Sequence, residues 1–112
     1  MTNVSNFEVI VSKELLEKCV TLSVSSEIYN KNISKFIGPV FSEAPFFPSR
    51  KPEVSFSEAR ERATLLLMER ALDMGANAVV NLTISTAPYK AQGSGWGCSM
   101  IVAYGNAVVI DE

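Results

Sequence analysis

The residues of this chain that could do chemistry are its two cysteines, several carboxylates and one tryptophan. Cys19 and Cys98 lie far apart in sequence, and the chain contains no histidine. A site for a soft metal normally uses Cys and His at close spacing, as in Cys-x-x-Cys. The pattern therefore favours two buried thiols without a metal. Cys98 stays a candidate metal ligand, because a symmetric assembly could gather one copy per subunit around an axis.

Carboxylates offer a second possible metal site, for a hard cation. Glu43, Asp73 and Asp111 carry suitable oxygen ligands, but their spacing matches no calcium-binding loop. Catalysis by Cys98 as a nucleophile would require a base, normally His, and no pattern places Lys90 or a carboxylate to replace it. The residues therefore favour a binding or scaffold protein over an enzyme.

Trp96 lies in a glycine-rich run, Gly93–Gly97. This run precedes a predicted strand, whereas phosphate-binding loops open a helix, so it does not predict a phosphate site. A large indole in such a loop should enter a pocket or stack on a partner. Two interpretations stay open: Trp96 packs against a neighbouring subunit, or it stacks on a flat ligand.

Composition limits the class of protein. The 112 residues fit one domain, and 47% hydrophobic residues exclude a disordered tail. A net charge of −2 without a basic run argues against nucleic-acid binding. Glu8, Lys13, Glu14 and Glu17 interrupt the region where a signal peptide would be apolar, and no run reaches transmembrane length. The sequence predicts a cytoplasmic protein without a membrane partner.

These residues must be positioned by a helix-to-strand unit that runs from Ser55 to Ser85. The pattern predicts a helix over Phe56–Met74, followed by a strand that begins at Ala76. Ser55 and Glu58 have the spacing of a capping box at the helix start. Gly75 ends the helix, because glycine adopts the left-handed cap without a Cβ clash.

The predicted helix carries two apolar stripes, which implies two partners. The first stripe contains Ala59, Ala63, Leu66, Leu67, Ala71 and Met74, and the second contains Leu65, Met68 and Leu72. We expect one stripe to cover the chain's own sheet and the other to contact a second subunit. The alternative is that the N-terminal segment folds back over the second stripe.

Upstream of the helix, the sequence predicts three strands and one helical turn. The strands are Phe7–Val11, Val20–Val24 and Lys35–Phe41, and Ser12 caps a helical turn that runs through Lys18. Pro39 inside the third strand indicates a sheet edge or a bulge.

The segment Ser42–Glu53 contains three prolines and is predicted to be a loop. It also carries Phe46 and Phe47. We expect at least one of these rings to enter a core or a subunit contact, because two adjacent exposed phenylalanines are unfavourable.

Downstream, the residues Ala78, Val80, Leu82 and Ile84 alternate with more polar neighbours, which predicts a half-buried strand. A hairpin connection follows over Thr86–Gly97, and then a long strand over Cys98–Ile110.

The last strand is apolar on both faces. Met100, Val102, Tyr104 and Val108 face one way, and Ile101, Ala103, Ala107 and Val109 face the other. One helix cannot cover both sides of a sheet, so this strand also implies a neighbouring subunit. Gly105 indicates a bulge or a close backbone approach. The residues expected at the subunit contact are Leu65, Met68, Leu72, Phe46, Phe47 and Ile101.

Several runs resemble the YbjQ family of small bacterial proteins. They are Phe36–Val40, Ala59-Arg60 with Ala63 and Ala71, Gly75–Val80, and Gly105–Val108. The resemblance covers about residues 21–110 and makes residues 1–20 an N-terminal extension. Asn81 and Ser42 stand where the family commonly has Gly, and the proline-rich loop is shorter than the family's usual connection.

The resemblance implies a small α+β, dodecin-like subunit with a mostly antiparallel sheet and one main helix, which closes into a homo-oligomeric ring, usually a pentamer. The family is sometimes labelled heavy-metal-binding, without an established activity. The dodecin-like fold also suggests a flavin-like ligand for Trp96, by fold analogy alone.

Overall fold

The computed structural model describes residues 13–46, 52–90 and 97–111, and within them the chain is α+β as predicted. The elements in chain order are helix α1 over residues 13–19, β1 Thr21–Leu22, β2 Ile33–Phe46, α2 Pro52–Asp73, β3 Ala78–Lys90 and β4 Gly97–Ile110. The four strands form one sheet in the order β1-β3-β4-β2. β1 is parallel to β3, and the other two pairs are antiparallel. The predicted strand over Phe7–Val11 lies outside the described residues.

The helix α2 begins at Pro52, four residues before the predicted start at Phe56. The capping box predicted at Ser55 is therefore wrong, because Ser55 lies inside the helix. Proline is favoured in the first turn, where its missing N–H would have had no helical partner and its fixed φ suits the helix.

The end of α2 was predicted correctly. Gly75 adopts a φ of 91°, and its N–H donates to the Leu72 carbonyl at 2.9 Å. The Ala76 N–H donates to the Ala71 carbonyl at 3.0 Å. These two bonds form a Schellman motif, which satisfies carbonyls that the last helical turn would otherwise leave unpaired.

The core lies between α2 and one face of the sheet. Ala59, Ala63, Leu67 and Ala71 of the first predicted stripe are fully buried. The alanines bring the helix backbone close to β2, where the buried Ser42 hydroxyl donates to the Ala63 carbonyl. This bond satisfies a polar group that would be costly to bury alone. The remaining stripe members lie at the margins of this contact, Leu66 half-buried and Met74 exposed.

The second helical stripe is partly covered by α1 of the same chain. Leu16 and Val20 belong to the same buried cluster as Met68, and Leu65 packs against this cluster. The structure thus supports the alternative that the N-terminal segment folds back over this stripe. Only Leu72 keeps a large exposed fraction, 42%.

The strand β3 contains a bulge that the sequence did not predict. The pairing with β4 shifts between Val80 and Thr83, which adds one residue to β3. Val79 faces the helix-side core and Val80 faces the other side, but Leu82 beyond the bulge packs on the helix side again. The single apolar face predicted for Ala78, Val80, Leu82 and Ile84 is therefore wrong, because one extra residue moves all later side chains to the opposite face.

Gly105 of β4 lies against this bulge. A Cβ on Gly105 would lie 2.7 Å from Cγ1 of Val79 and 2.8 Å from the Val80 carbonyl oxygen. The predicted close backbone approach is confirmed, and the bulge itself belongs to β3. Asn81 at the bulge has a φ of 56°, a left-handed conformation that asparagine tolerates better than most residues.

The edge strand β2 is longer than predicted. It extends from Ile33 to Phe46, so the first part of the predicted loop Ser42–Glu53 is strand. Pro39 is at an edge, as predicted, and a register shift between Phe36 and Gly38 lies beside it. An edge strand tolerates proline because half of its N–H groups need no ladder partner.

Two arginines of α2 reach the backbone of β2. Arg70 donates to the Phe41 carbonyl at 2.8 Å, and Arg62 donates to the Pro45 carbonyl at 3.1 Å. Phe41 and Pro45 are four residues apart, so both carbonyls point to the same side of the strand. Pro45 also lacks an N–H on that side. The outer edge of β2 is therefore partly satisfied within the chain.

The predicted strand Val20–Val24 is reduced to the two residues of β1, and a loop follows. Ile28 in this loop and Ile33 at the start of β2 pack on a second buried cluster, on the sheet face opposite α2. The cluster contains Ala78, Val80, Val108 and Ile110. The loop covers only one end of that face.

We predict that Gly105→Ala lowers the free energy of unfolding by about 1–3 kcal/mol, because the new methyl overlaps Val79 and the Val80 carbonyl. Urea denaturation followed by circular dichroism measures this change. An unchanged midpoint would show that β3 moves away from Gly105 at little cost.

At Asn81 the backbone conformation decides stability, because the side chain is exposed. Asn81→Val should destabilise the chain by roughly 1–2 kcal/mol, since a β-branched residue is unfavourable at positive φ. Asn81→Gly is the matched control and should stay within about 0.5 kcal/mol of the parent. Equal losses in both variants would point instead to a role for the carboxamide.

Candidate binding surface

The sheet face opposite α2 exposes large aromatic side chains. Phe36 is 66% exposed, Phe41 is 61% exposed and Tyr104 is 45% exposed. Tyr104 and Val102 belong to the face of β4 that the sequence predicted to be apolar. No described element covers this part of the face, since the loop after β1 reaches only the cluster around Val108.

A shallow groove of about 610 Å³ runs across this face, and we call it the sheet groove. Its lining comes from three strands: Pro39, Val40 and Phe41 of β2, Asn81 and Thr83 of β3, and Val102, Tyr104, Gly105 and Asn106 of β4. The bulge forms one wall, because the extra residue in β3 places Thr83 rather than Leu82 on this face.

The sheet groove combines aromatic rings with neutral polar groups. Tyr104 lies between Phe41 and Thr83 in the sheet register, so these three side chains form a row across the strands. Asn81 and Asn106 add carboxamides, which both donate and accept hydrogen bonds. None of the described residues that line the groove is charged. Such a lining suits a neutral partner surface or an uncharged ligand.

A second cavity, of about 580 Å³, lies where α1 meets α2 and β3. We call it the α1 cavity. Its apolar lining is Leu22, Leu65, Met68 and Ile84, and the other lining residues are Lys13, Glu17, Ser57, Arg60, Glu61 and Thr64. Lys13 forms an ion pair with Glu61, which raises the pKa of the Lys13 ammonium through the hydrogen bond and the opposite charge. Both side chains are exposed, so solvent weakens the pair.

The predicted metal ligands do not come together in the part of the chain that the structure describes. Residues 13–46, 52–90 and 97–111 contain no group of three or more Cys, Asp or Glu side chains placed to hold a metal ion. Cys19, predicted to be buried, is exposed at the end of α1. Cys98 lies in β4 opposite Tyr89, and only its backbone is described.

Two of the residues expected at a subunit contact have no free surface. Met68 is 3% exposed and Ile101 is fully buried, because α1 and α2 cover them within one chain. Leu65 is half-buried and Leu72 is exposed, so both keep surface that a partner could reach.

Three predicted residues cannot be placed. Trp96 and Phe47 lie outside the described residues, and Phe46 is described only as the last residue of β2. Their roles as a ligand platform or a subunit contact stay predictions.

The aromatic row was missed because the residues predicted at the subunit contact lie on α2, at Phe46 and Phe47, and at Ile101 on the other face of β4. The signal was present in β4, whose two apolar faces cannot both lie under α2. For Phe41 the pattern was weaker, since Pro39 and Pro45 interrupt the strand on both sides.

No helix in the described ranges is both long enough and apolar enough to cross a membrane.

Comparison with known proteins identifies relatives of uncharacterised function. A relative from Clostridium botulinum (strain Alaska E43 / Type E3), named UPF0145 protein, is 34% identical over 104 residues, which cover 78% of this chain and 95% of the relative. A UPF0145 protein from Acetivibrio thermocellus is 41% identical over 63 residues, 56% of this chain. The matched part spans only 57% of that relative's length, and 45% of a relative from Pyrococcus furiosus.

A solved structure shows the same fold. It is a crystal structure of a protein of unknown function in the DUF74 family, from Pediococcus pentosaceus. The TM-score is 0.63 over 82% of this chain and 98% of that chain, at 14% sequence identity. At this identity the likeness concerns the fold alone.

The family model that matches residues 49–111, more than half of the chain, is described as "Putative heavy-metal-binding" and carries no enzyme name. The matched region runs from the start of α2 through both long strands that follow it. Together with the relatives above, this match shows that the chain belongs to the YbjQ family, whose curated relatives are the UPF0145 proteins.

Proposed function

We propose that the chain is the subunit of a homo-oligomeric ring that serves as a binding or scaffold module. The observation that carries this proposal is the set of exposed rings on the uncovered sheet face, Phe36, Phe41 and Tyr104, of which Phe36 and Phe41 are each more than 60% exposed. Large contiguous apolar patches on a small protein typically mark an interaction surface. Tyrosine and phenylalanine are enriched at the centres of such surfaces, and charged residues are depleted there.

A second copy is the favoured partner because the chain offers a different apolar surface as the counterpart. Leu72 and Met74 at the end of α2 are 42% and 39% exposed. Contact between two unlike surfaces repeats around an axis and closes when the rotation allows it. The resemblance to the YbjQ family favours five subunits, and the ring size is part of the proposal.

The proposal treats the protein as a binding module and not as an enzyme. Its basis is the sequence, which contains no histidine and no pairing of a nucleophile with a base. The proposed cytoplasmic location also rests on the sequence alone.

Phe41→Glu tests the assembly. The side chain is exposed in a single chain, so the variant should fold, but a carboxylate at the centre of a subunit contact would be desolvated without a partner. Light scattering should give a multiple of 12.2 kDa for the parent, five-fold for a pentamer, and 12.2 kDa for the variant.

Tyr29→Glu is the matched control, because Tyr29 is an exposed aromatic residue outside the sheet groove, at 95% exposure against 61% for Phe41. It should leave the mass unchanged. Leu72→Glu should behave like Phe41→Glu if the helix end is the counterpart surface. A parent that is monomeric, or a Phe41→Glu variant of full mass, would contradict the proposal.

Heavy-metal binding is the second candidate function, and the description of the matching family model favours it. The ligands would be Cys98 and carboxylates, brought together only in the assembly. We predict that Cys98→Ser weakens binding of a soft divalent ion such as Cd²⁺ at least about tenfold by calorimetric titration, since thiolate is the strongest ligand available.

Cys19→Ser is the matched control for this titration, because Cys19 is an exposed thiol on α1. It should keep the parent affinity. Equal Cd²⁺ affinities in the parent and both variants would show that neither thiol binds the metal.

A further inference from the structure

One continuous face of α2 lines the α1 cavity. Its residues recur at intervals of three and four, which is the spacing of a single helical face, and they are Ser57, Arg60, Glu61, Thr64, Leu65 and Met68. The first four members of this face are polar and the last two are apolar. Along α2 the cavity therefore has a polar end and an apolar end.

The other elements around the cavity add to both ends. Lys13 and Glu17 of α1 line it, and Lys13 pairs with Glu61 of the polar end. Leu22 of β1 and Ile84 of β3 add apolar surface from the sheet. The site thus joins a charged region to an apolar one, which suits a ligand that is itself amphipathic.

The charges of the polar end are balanced in sign. Lys13 and Glu61 form one pair between α1 and α2, and Arg60 on α2 and Glu17 on α1 contribute one further charge of each sign. Arg60 lies over the Phe56 ring, 6.0 Å from its centroid. A guanidinium can hold a ring on its face and a carboxylate at its edge. A complementary ligand carries one charge of each sign.

We propose that the α1 cavity binds a free α-amino acid with an apolar side chain of the size of leucine. Arg60 donates to the ligand carboxylate, and Glu17 accepts from the ligand ammonium. The ligand side chain lies against Leu65, Met68 and Ile84. Arg60 and Leu65 are separated by about 7–8 Å along the helix axis, a length that leucine spans from its carboxylate to its methyl groups.

The balance of charge favours a zwitterion over other amphipathic ligands. A fatty acid would match Arg60 and bring its carboxylate close to Glu17 and Glu61, and an alkylamine would match only the carboxylates. The cavity lies on the helix side of the sheet, whereas the sheet groove lies on the opposite face. The amino-acid site is therefore independent of the proposed subunit contact.

NMR titration of the full chain with L-leucine tests this proposal. The amide signals of Thr64 and Leu65 should shift and saturate. The deaminated analogue 4-methylpentanoate and the uncharged-carboxyl analogue leucinamide should each bind about three- to fivefold more weakly, because each loses one exposed ion pair. L-Alanine should bind at least about tenfold more weakly, because it lacks most of the apolar side chain.

Arg60→Gln and Glu17→Gln should each weaken leucine binding about three- to fivefold. Both side chains are exposed, so the variants should keep the parent fold, which the same spectra show. Lys18→Gln and Glu14→Gln are the matched controls, because they remove exposed charges of α1 that do not line the cavity, and they should keep the parent affinity.

Four results would overturn the proposal. They are the absence of saturable shifts with leucine, equal affinities for leucine and 4-methylpentanoate, parent affinity in both Arg60→Gln and Glu17→Gln, and shifts at Phe41 and Tyr104 in place of Thr64 and Leu65. The last result would move the ligand to the sheet groove.

Discussion

The structure depends on one extra residue in β3. Without the bulge at Asn81, the residues that follow would continue the phase of Ala78 and Val80 and face away from α2. With it, Leu82 returns to the helix-side core and Thr83 turns to the open face. The bulge is possible because Gly105 leaves room for the backbone of β3 on the neighbouring strand.

The two faces of the sheet consequently have different chemistry. Alanines of α2 and small residues such as Ala103 and Ala107 of β4 form a buried contact on the helix side. The opposite face keeps Phe41 and Tyr104, which no described element covers. Packing within the chain thus covers most of one face, and the other face retains the apolar surface that supports the proposed assembly.

The sequence predicted what depends on local chemistry and missed what depends on tertiary contacts. Gly75 as the helix stop and the two apolar faces of β4 follow from φ and from alternation, and both are seen. The start of α2 was missed because Pro52 was interpreted as part of a proline-rich loop, although proline also suits a first helical turn. The only local sign of the bulge in the sequence was Asn81, a residue type that tolerates positive φ. The residue that makes room for the bulge, Gly105, lies on another strand.

The candidate site was predictable only in part. The apolar residues on both faces of β4 and on two stripes of α2 predicted that some apolar surface stays exposed in a single chain. They did not predict where that surface lies. The sequence could not show that α1 places Leu16 and Val20 beside Met68, because that contact joins segments about fifty residues apart. Phe41 was not predicted to face a partner because Pro39 and Pro45 flank it in the sequence. Prolines are compatible with strand pairing only at the edge of a sheet, and the edge position of β2 could not be read from the sequence.

The two arginines of α2 that bind the outer edge of β2 also affect how copies of the chain can associate. Amyloid-like growth needs a free backbone ladder on each side of every copy, so that each molecule templates the next. Arg62 and Arg70 occupy carbonyls of that ladder, and Pro39 and Pro45 interrupt its donors. Endless stacking through this side is therefore hindered, which favours contact between copies through side-chain surfaces of finite extent.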